Sequence, residues 1–294
     1  MDLRYRGTVM SGDRGALVIT DIAPPVSQKR SSHTERLWGH GLHPSREWLD
    51  ALTWTWSLGV NTRSRQEALS MADKVASAWS HYGVMRTTSQ RPLEYSHDGG
   101  QTWSRVYGRP GALTSVTPGL ALKHGMGVMD LEFIQTDPRH FDSLESQTTI
   151  HTHPEATGGL VAPVVAPIKV SRTGGVSERL AVNDGTVVTP VRVRFHGPIS
   201  NPGLSMDGGW TLQLKTSLQW DEWIEVDAMA RTVTRGRDGQ TGTRPALEVV
   251  SLSSSPFRDL NLNPGSNSLR LTGVDQLGTS RVDVYWRSAS LSLR

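Results

Sequence analysis

The chain has 294 residues, 36% of them hydrophobic and 20% charged, and a formal net charge of +3 left by 31 basic against 28 acidic side chains. Lys and Arg are scattered rather than gathered, which argues against sequence-specific nucleic-acid binding. Cysteine is absent, which excludes disulfides, thiol nucleophiles and Cys-ligated metal; no stretch approaches the length of a membrane span, so membrane insertion is not expected.

The length suits two domains, each with its own core, and 29 Gly with 16 Pro favour many short strands over long helices. The start, MDLRYRGTVM, lacks the apolar core of a signal peptide. Leu3 and Tyr5 alternate with Arg4 and Arg6, and a short apolar run follows from Ala16 to Ile19. Residues 23–47 hold Pro24, Pro25, Pro44, His33, His40 and His43 among scattered charges, with no period, and read as a long loop or arm.

The clearest strand comes next: Leu52, Trp54, Trp56, Leu58 and Val60 fall on one face, Thr53, Thr55 and Ser57 on the other. A helix over about 64–82 follows. Ser64 and Glu67 have the spacing of a capping box; Ala68, Leu69, Ala72, Val75, Ala76 and Trp79 make one apolar stripe, and Gly83 is a natural stop. Strand signals resume at Leu93–Tyr95, Trp103–Tyr107 and Met129–Phe133. Polar residues, glycines and prolines over 142–168 mark a boundary. From about 170 on no helical period appears. Val191, Val193 and Phe195 alternate with Arg192, Arg194 and His196, and Leu212–Leu214, Ile224–Val226, Leu247–Leu252, Leu269–Leu271 and Val282–Trp286 are further strand signals. Val282, Val284 and Trp286 share one parity and Ala289, Leu291 and Leu293 the other, which calls for a bulge near Ser288 or a change of sheet.

Candidate chemistry is sparse. Ser96-His97-Asp98-Gly99-Gly100-Gln101-Thr102-Trp103 resembles the Asp-box of sialidase propellers, a hairpin brace remote from catalysis in that family, and 205–211 is a looser echo. A propeller repeats the box at blade intervals, which these two copies do not, so a local hairpin is the expected structure. His151 and His153 could begin a zinc site, with His40 or His43 as a third ligand only if the loop folds back; histidines in a solvated linker are the commoner explanation. No nucleophile elbow, phosphate loop or dinucleotide fingerprint is present, and no cofactor is expected. Glu225 and Asp227 fall on the face opposite Ile224 and Val226, as an exposed face requires. Ten Trp against four Phe is the compositional oddity, and Trp210, Trp220 and Trp223 are the candidates for a binding surface.

Two stretches together resemble the siphophage distal tail protein family. The first runs from Trp103 through Gly108-Arg109-Pro110 to Asp137-Pro138, like the ending of the family's first domain. The second runs from Asn183-Asp-Gly185 through Thr189-Pro190 to Gly197-Pro198-Ile-Ser-Asn201-Pro202, like the opening of its second. Ile224–Asp227, Asn263-Pro264-Gly265-x-Asn267 and Val284–Arg287 agree in order; the 23–47 segment and the 151–153 histidines have no counterpart.

The resemblance implies a mainly β chain. A ring-forming first domain over 1–150 would carry one packed helix, with a linker at 151–169 and a galectin-like or carbohydrate-module-like antiparallel sandwich over 170–294. It implies a virion tail-tip protein, assembled in the host cytoplasm, whose homohexameric ring joins the tail tube protein to the hub or baseplate protein around the tape measure protein. No catalytic residues are then required. The alternatives are a carbohydrate-binding module for host glycans, compatible with the ring, and a sialidase-like glycoside hydrolase.

Overall fold

The computed structural model describes residues 1–12, 15–23, 25–26, 28–116, 119–152, 177–275 and 278–292. They form two compact units, Met1–Leu144 with the chain end from Ser290, and Glu145–Ala289. The division falls ahead of the expected linker at 151–169. Residues 146–150, expected to close the first domain, instead belong to a strand of the second unit, Ser146–His151, with Ile150 buried in its core. The stretch from His153 to 176 lies outside the described residues.

The first unit opens with β1 (Asp2–Tyr5) and β2 (Thr8–Met10), joined by Arg6 and Gly7, both at positive φ, the turn that matches the twist of a two-residue hairpin. β3 (Leu17–Ala23) follows. The segment expected as a loop or arm is a nested hairpin, β4 (Lys29–Ser31) with β7 (Glu47–Leu49) and, further out, β5 (Thr34–Glu35) with β6 (Leu42–His43). Then come β8 (Leu52–Asn61), α1 (Arg65–Trp79), α2 (Tyr82–Met85), β9 (Arg91–Ser96), β10 (Ser104–Leu113), α3 (Leu120–Lys123), β11 (Met126–Gln135) and β12 (His140–Asp142). The main sheet runs β2-β1-β9-β10-β11-β8-β3, and its pairs are antiparallel.

β8 pairs with β11 along its whole length and buries the alternating face that its sequence marks. Against that face lie Ala68, Ala72, Val75 and Trp79 of α1, with Trp79 edge-on to both Trp56 and Tyr5. Ser64 Oγ caps the helix by accepting from Glu67 N. Two details of the expected helix differ. Leu69 is exposed, one position off the packed stripe, and the helix stops at Trp79 with Ser80 as its cap, leaving Gly83 inside α2.

The second unit contains β13 (Ser146–His151), β14 (Glu178–Asn183), β15 (Thr189–Pro190), β16 (Arg192–His196), β17 (Ile199–Met206), β18 (Thr211–Gln213), β19 (Ser217–Leu218), β20 (Glu222–Asp227), β21 (Thr232–Arg237), β22 (Arg244–Pro245), β23 (Asn261–Leu262), β24 (Gly265–Val274) and β25 (Arg281–Trp286); the last strand, β26 (Ala289–Ser290), falls where the chain passes back to the first unit. Two antiparallel sheets, β13-β25-β16-β20-β21-β22 and β14-β24-β17-β18, supply one core. Phe195, Ile224, Val226, Val282 and Val284 come from the first, and Leu204, Leu212, Leu269 and Leu271 from the second. The expected strand at Leu247–Leu252 is instead a 3₁₀ turn over Leu247–Val249, with Leu252 wholly exposed. The parity change at the chain end is met by a break: β25 stops at Trp286, Arg287 and Ser288 intervene, and β26 begins at Ala289.

Candidate functional site

The residues picked out by the turn patterns hold backbone rather than face a ligand. The Arg109 guanidinium donates to the Val84 and Met85 carbonyls at the end of α2, at 2.7 and 3.4 Å. Asp137 accepts from the backbone and guanidinium of Arg139 across Pro138. Asn183 bridges its own turn, accepting from Gly185 N at 3.0 Å and donating to Val187 O at 2.8 Å. A side chain at Gly185 would put its Cβ 1.9 Å from Ala289 O, and one at Gly197 would put it equally close to Gln219 O. Pro190 lies in β15. Asn267 closes the Asn263-Pro264-Gly265 turn, donating to Asn263 O and Gly265 O and accepting from Asn263 N, each at 2.9 Å.

The Asp-box is a brace. Asp98 accepts from the Gln101 and Thr102 amides at 2.9 Å and from the Ser96 and Thr102 hydroxyls, and these bonds hold its carboxyl well below the usual carboxylate range. Trp103 Nε1 donates to Gly100 O, and Arg4 stacks on its ring at 4.5 Å. The echo at 205–211 lacks that carboxylate pattern; Met206 N donates to Trp210 O instead.

The three candidate tryptophans separate. Trp210 is 3% exposed, with Nε1 donating to Asn261 O, so it belongs to the core and not to a binding surface; in sequence it follows two glycines like a loop residue. Trp223 is sandwiched between Arg194, 4.5 Å above its ring, and Gly236, where a Cβ would lie 2.3 Å from it. Trp220 is 78% exposed. His151 is exposed at the end of β13, and His153 lies outside the described residues. No group of three metal-ligating side chains occurs among the described residues, and no helix there is long and apolar enough to cross a membrane.

Two features escape the sequence reading. One is the tip of the nested hairpin, where Leu37 and Trp38 are each 93% exposed. The other is an ionic cluster in the second unit. Glu222 is buried and receives Arg235 on one oxygen and Arg237 on the other. Burial alone would raise its carboxyl, but the Gln219 amide and the two guanidiniums overcome that and hold it at about 2. On the outer face of the same sheet Glu225 takes Arg192 at 2.9 Å and Arg194 at 2.7 Å, with Arg192 stacked on Tyr285.

No family model matches the chain, and no curated protein does. Solved structures do. The crystal structure of SPP1 Dit (gp 19.1), described as a paradigm of the hub adsorption apparatus in phages infecting Gram-positive hosts, aligns over 97% of both chains with a TM-score of 0.59 at 13% identity. The chain has the fold of a Dit protein. A chain of the phage P2 baseplate in its activated conformation with calcium aligns over 95% of this chain and 93% of its own, at TM-score 0.52 and 11% identity. The strontium form gives 0.54 and 10% over 97% and 96%. The Dit-like fold covers both units, so neither is an addition to it. It also answers the sialidase alternative, since two sheet-based units of this kind are not a bladed propeller.

Proposed function

We propose that this chain is a non-catalytic component of a phage tail tip, six copies of which close into a ring that joins the tail tube to the baseplate hub around the tape measure protein. The observation that carries the reading is the full-length agreement with a Dit fold, 97% of both chains. The physics of the hairpin arm supports it. Two short nested ladders, with no residue in either hydrophobic core, are marginal in water on their own, and their apolar tip gains most by lying on another molecule. A contact from the arm of one copy to a different surface of the next is heterologous, and heterologous contacts close into rings when the rotation per copy permits.

Light scattering on the purified chain, alone and with the hub protein, tests this. The expected species has six times the 32.2 kDa mass of the chain, and removal of 29–49 returns it to monomer. A chain that stays monomeric in both conditions, or particles that remain infectious without it, would end the reading.

A further inference from the structure

The outward face of the first unit's sheet holds a trough that its own fold leaves unfilled. In the β3-β8-β11 register Asp21, Ser57 and Asp130 form one row across the sheet, and Ala23, Thr55 and Glu132 form the next. Small side chains therefore floor a groove of about 290 Å³, walled by Asp21 on one side and by Asp130 and Glu132 on the other, with Ala112 and Thr114 beyond them. Val128 and Ile134 share the outward face of β11 and are 44% and 38% exposed, so apolar surface continues past both ends. Ser57 donates to Asp130 Oδ1 at 2.6 Å and Ala112 N to Glu132 Oε2 at 3.3 Å. None of the three carboxylates enters an ion pair among the described residues, and no Lys or Arg lines the groove. Nor do they gather as metal ligands. Three spread, unanswered charges over a floor of small residues suit a cationic protein surface that carries a flat apolar side chain.

The arm has that surface at its tip. Between Lys29 and Leu49 it carries Lys29, Arg30, Arg36 and Arg46 against Glu35 and Glu47, and Lys29 already holds Glu47. Arg36 and Arg46 enter no ion pair among the described residues. Arg36 N donates to Gly41 O at 3.2 Å, and Gly39 and Gly41 sit at positive φ, so the turn that presents Leu37 and Trp38 is closed before any partner arrives. The tip does not reach the groove of its own chain. That groove begins at Ala23, at the root of the arm, whereas the ladder from Lys29 to Arg36 carries the tip roughly 20 Å away at about 3.3 Å per residue. Folded flat against the sheet, the paired arm would overshoot it; a second copy offers the same groove without that restriction.

We infer that the arm tip of one copy lies in the outward groove of the next, with Trp38 over Thr55 and Ser57 and with Arg36 among Asp21, Asp130 and Glu132. This rests on the ring reading and names the two surfaces that meet in it.

Because the chain has no cysteine, introduced thiols report alone. Leu37→Cys and Thr55→Cys chains, assembled together and treated with a short bismaleimide, are expected to give covalent dimers about tenfold above either chain alone and above Leu37→Cys paired with Leu252→Cys in the second unit. Arg36→Glu and Asp130→Lys are each expected to weaken association about tenfold, and the two changes in one chain to recover it to within about threefold. All of these positions are exposed, so the melting temperature stays where it is. Rings that form without this cross-link, a cross-link from Leu37→Cys to the hub protein in its place, swaps that leave association unchanged, or a double swap no better than the single ones overturn the inference. Rings that form, need residues 29–49 and show one of these results leave the ring reading standing; a chain that never leaves the monomer ends both.

Discussion

Trp54 Nε1 donates to Gln135 Oε1 at 2.8 Å, joining the buried starting end of β8 to the buried finishing end of β11. The same amide spends its Nε2 on the Asp137 and Arg139 carbonyls, at 2.7 and 3.3 Å. One 0%-exposed side chain therefore fixes both the strand register and the Asp137-Pro138 turn that ends it. Gln135→Leu keeps the volume, removes the acceptor of the buried indole N–H and takes one donor from each of two carbonyls, and the expected cost is about 3 kcal/mol. Urea unfolding reads it. In a double-mutant cycle with Trp54→Phe the two losses should add to less than their sum, since each removes the same bond; full additivity would show that the bond contributes nothing.

His140 predicts a pH window. Burial pushes its imidazole down to about 4 against an ordinary value of 6.5, and Asp137 opposes the shift without cancelling it. The folded state therefore binds its proton less readily than the unfolded one. Nothing is lost above the unfolded value, and stability falls as pH drops from about 6.5 to about 4, by roughly 3 kcal/mol in total. Unfolding midpoints between pH 7 and pH 4 should slope for the wild type and slope less for His140→Gln, the remainder coming from His196, which burial also lowers. The substitution also costs part of the Tyr95 hydroxyl bond, 2.9 Å from His140 Nδ1, so the two curves start apart at pH 7.

The Asp98 brace predicts a local effect. Its carboxylate collects amide and hydroxyl donors within one hairpin, from the exposed Gln101 and Thr102 and from Ser96, the buried last residue of β9, and takes none from an apolar core side chain. Asp98→Ala should raise hydrogen exchange at the Gln101 and Thr102 amides at least tenfold while the global unfolding midpoint moves little. A large global loss would mean that the hairpin is coupled to the sheet more tightly than its bonds indicate.

How far the sequence revealed this fold depends on how much of each element a core dictates. Leu52–Val60 was legible because all five alternating apolar residues are buried, and so was α1 from Ser64 to Trp79, where cap and stripe coincide. The nested hairpin over 29–49 was not, because strands of two or three exposed residues leave no periodicity to read. Leu247–Leu252 misled for the opposite reason: its apolar residues suggest a strand, but only a short turn forms and Leu252 faces water. The cluster around Glu222 left a mark that a stricter reading of parity would have caught. Glu222 shares the buried face of Ile224 and Val226, and Arg235 and Arg237 that of Val233, and charges at core parity must be paired with each other.

That pairing gives the last prediction. Glu222→Gln keeps the shape but leaves Arg235, largely buried, beside a neutral amide, and the expected loss at pH 7 is about 3 kcal/mol. The acid dependence distinguishes this from a mere packing defect. Burial would raise the Glu222 carboxyl, yet its partners hold it at about 2, below the ordinary 4.5, so its contribution is complete above about 4.5 and disappears as pH falls toward 2. Wild type and Glu222→Gln should therefore differ by a constant amount from pH 7 to about 5 and converge below it. This window lies under the one set by His140, so a single pH series resolves both. Curves that stay parallel down to pH 2 would show that the carboxylate's charge contributes nothing to the fold, and with it would go the view of Arg235 and Arg237 as held in place by that charge.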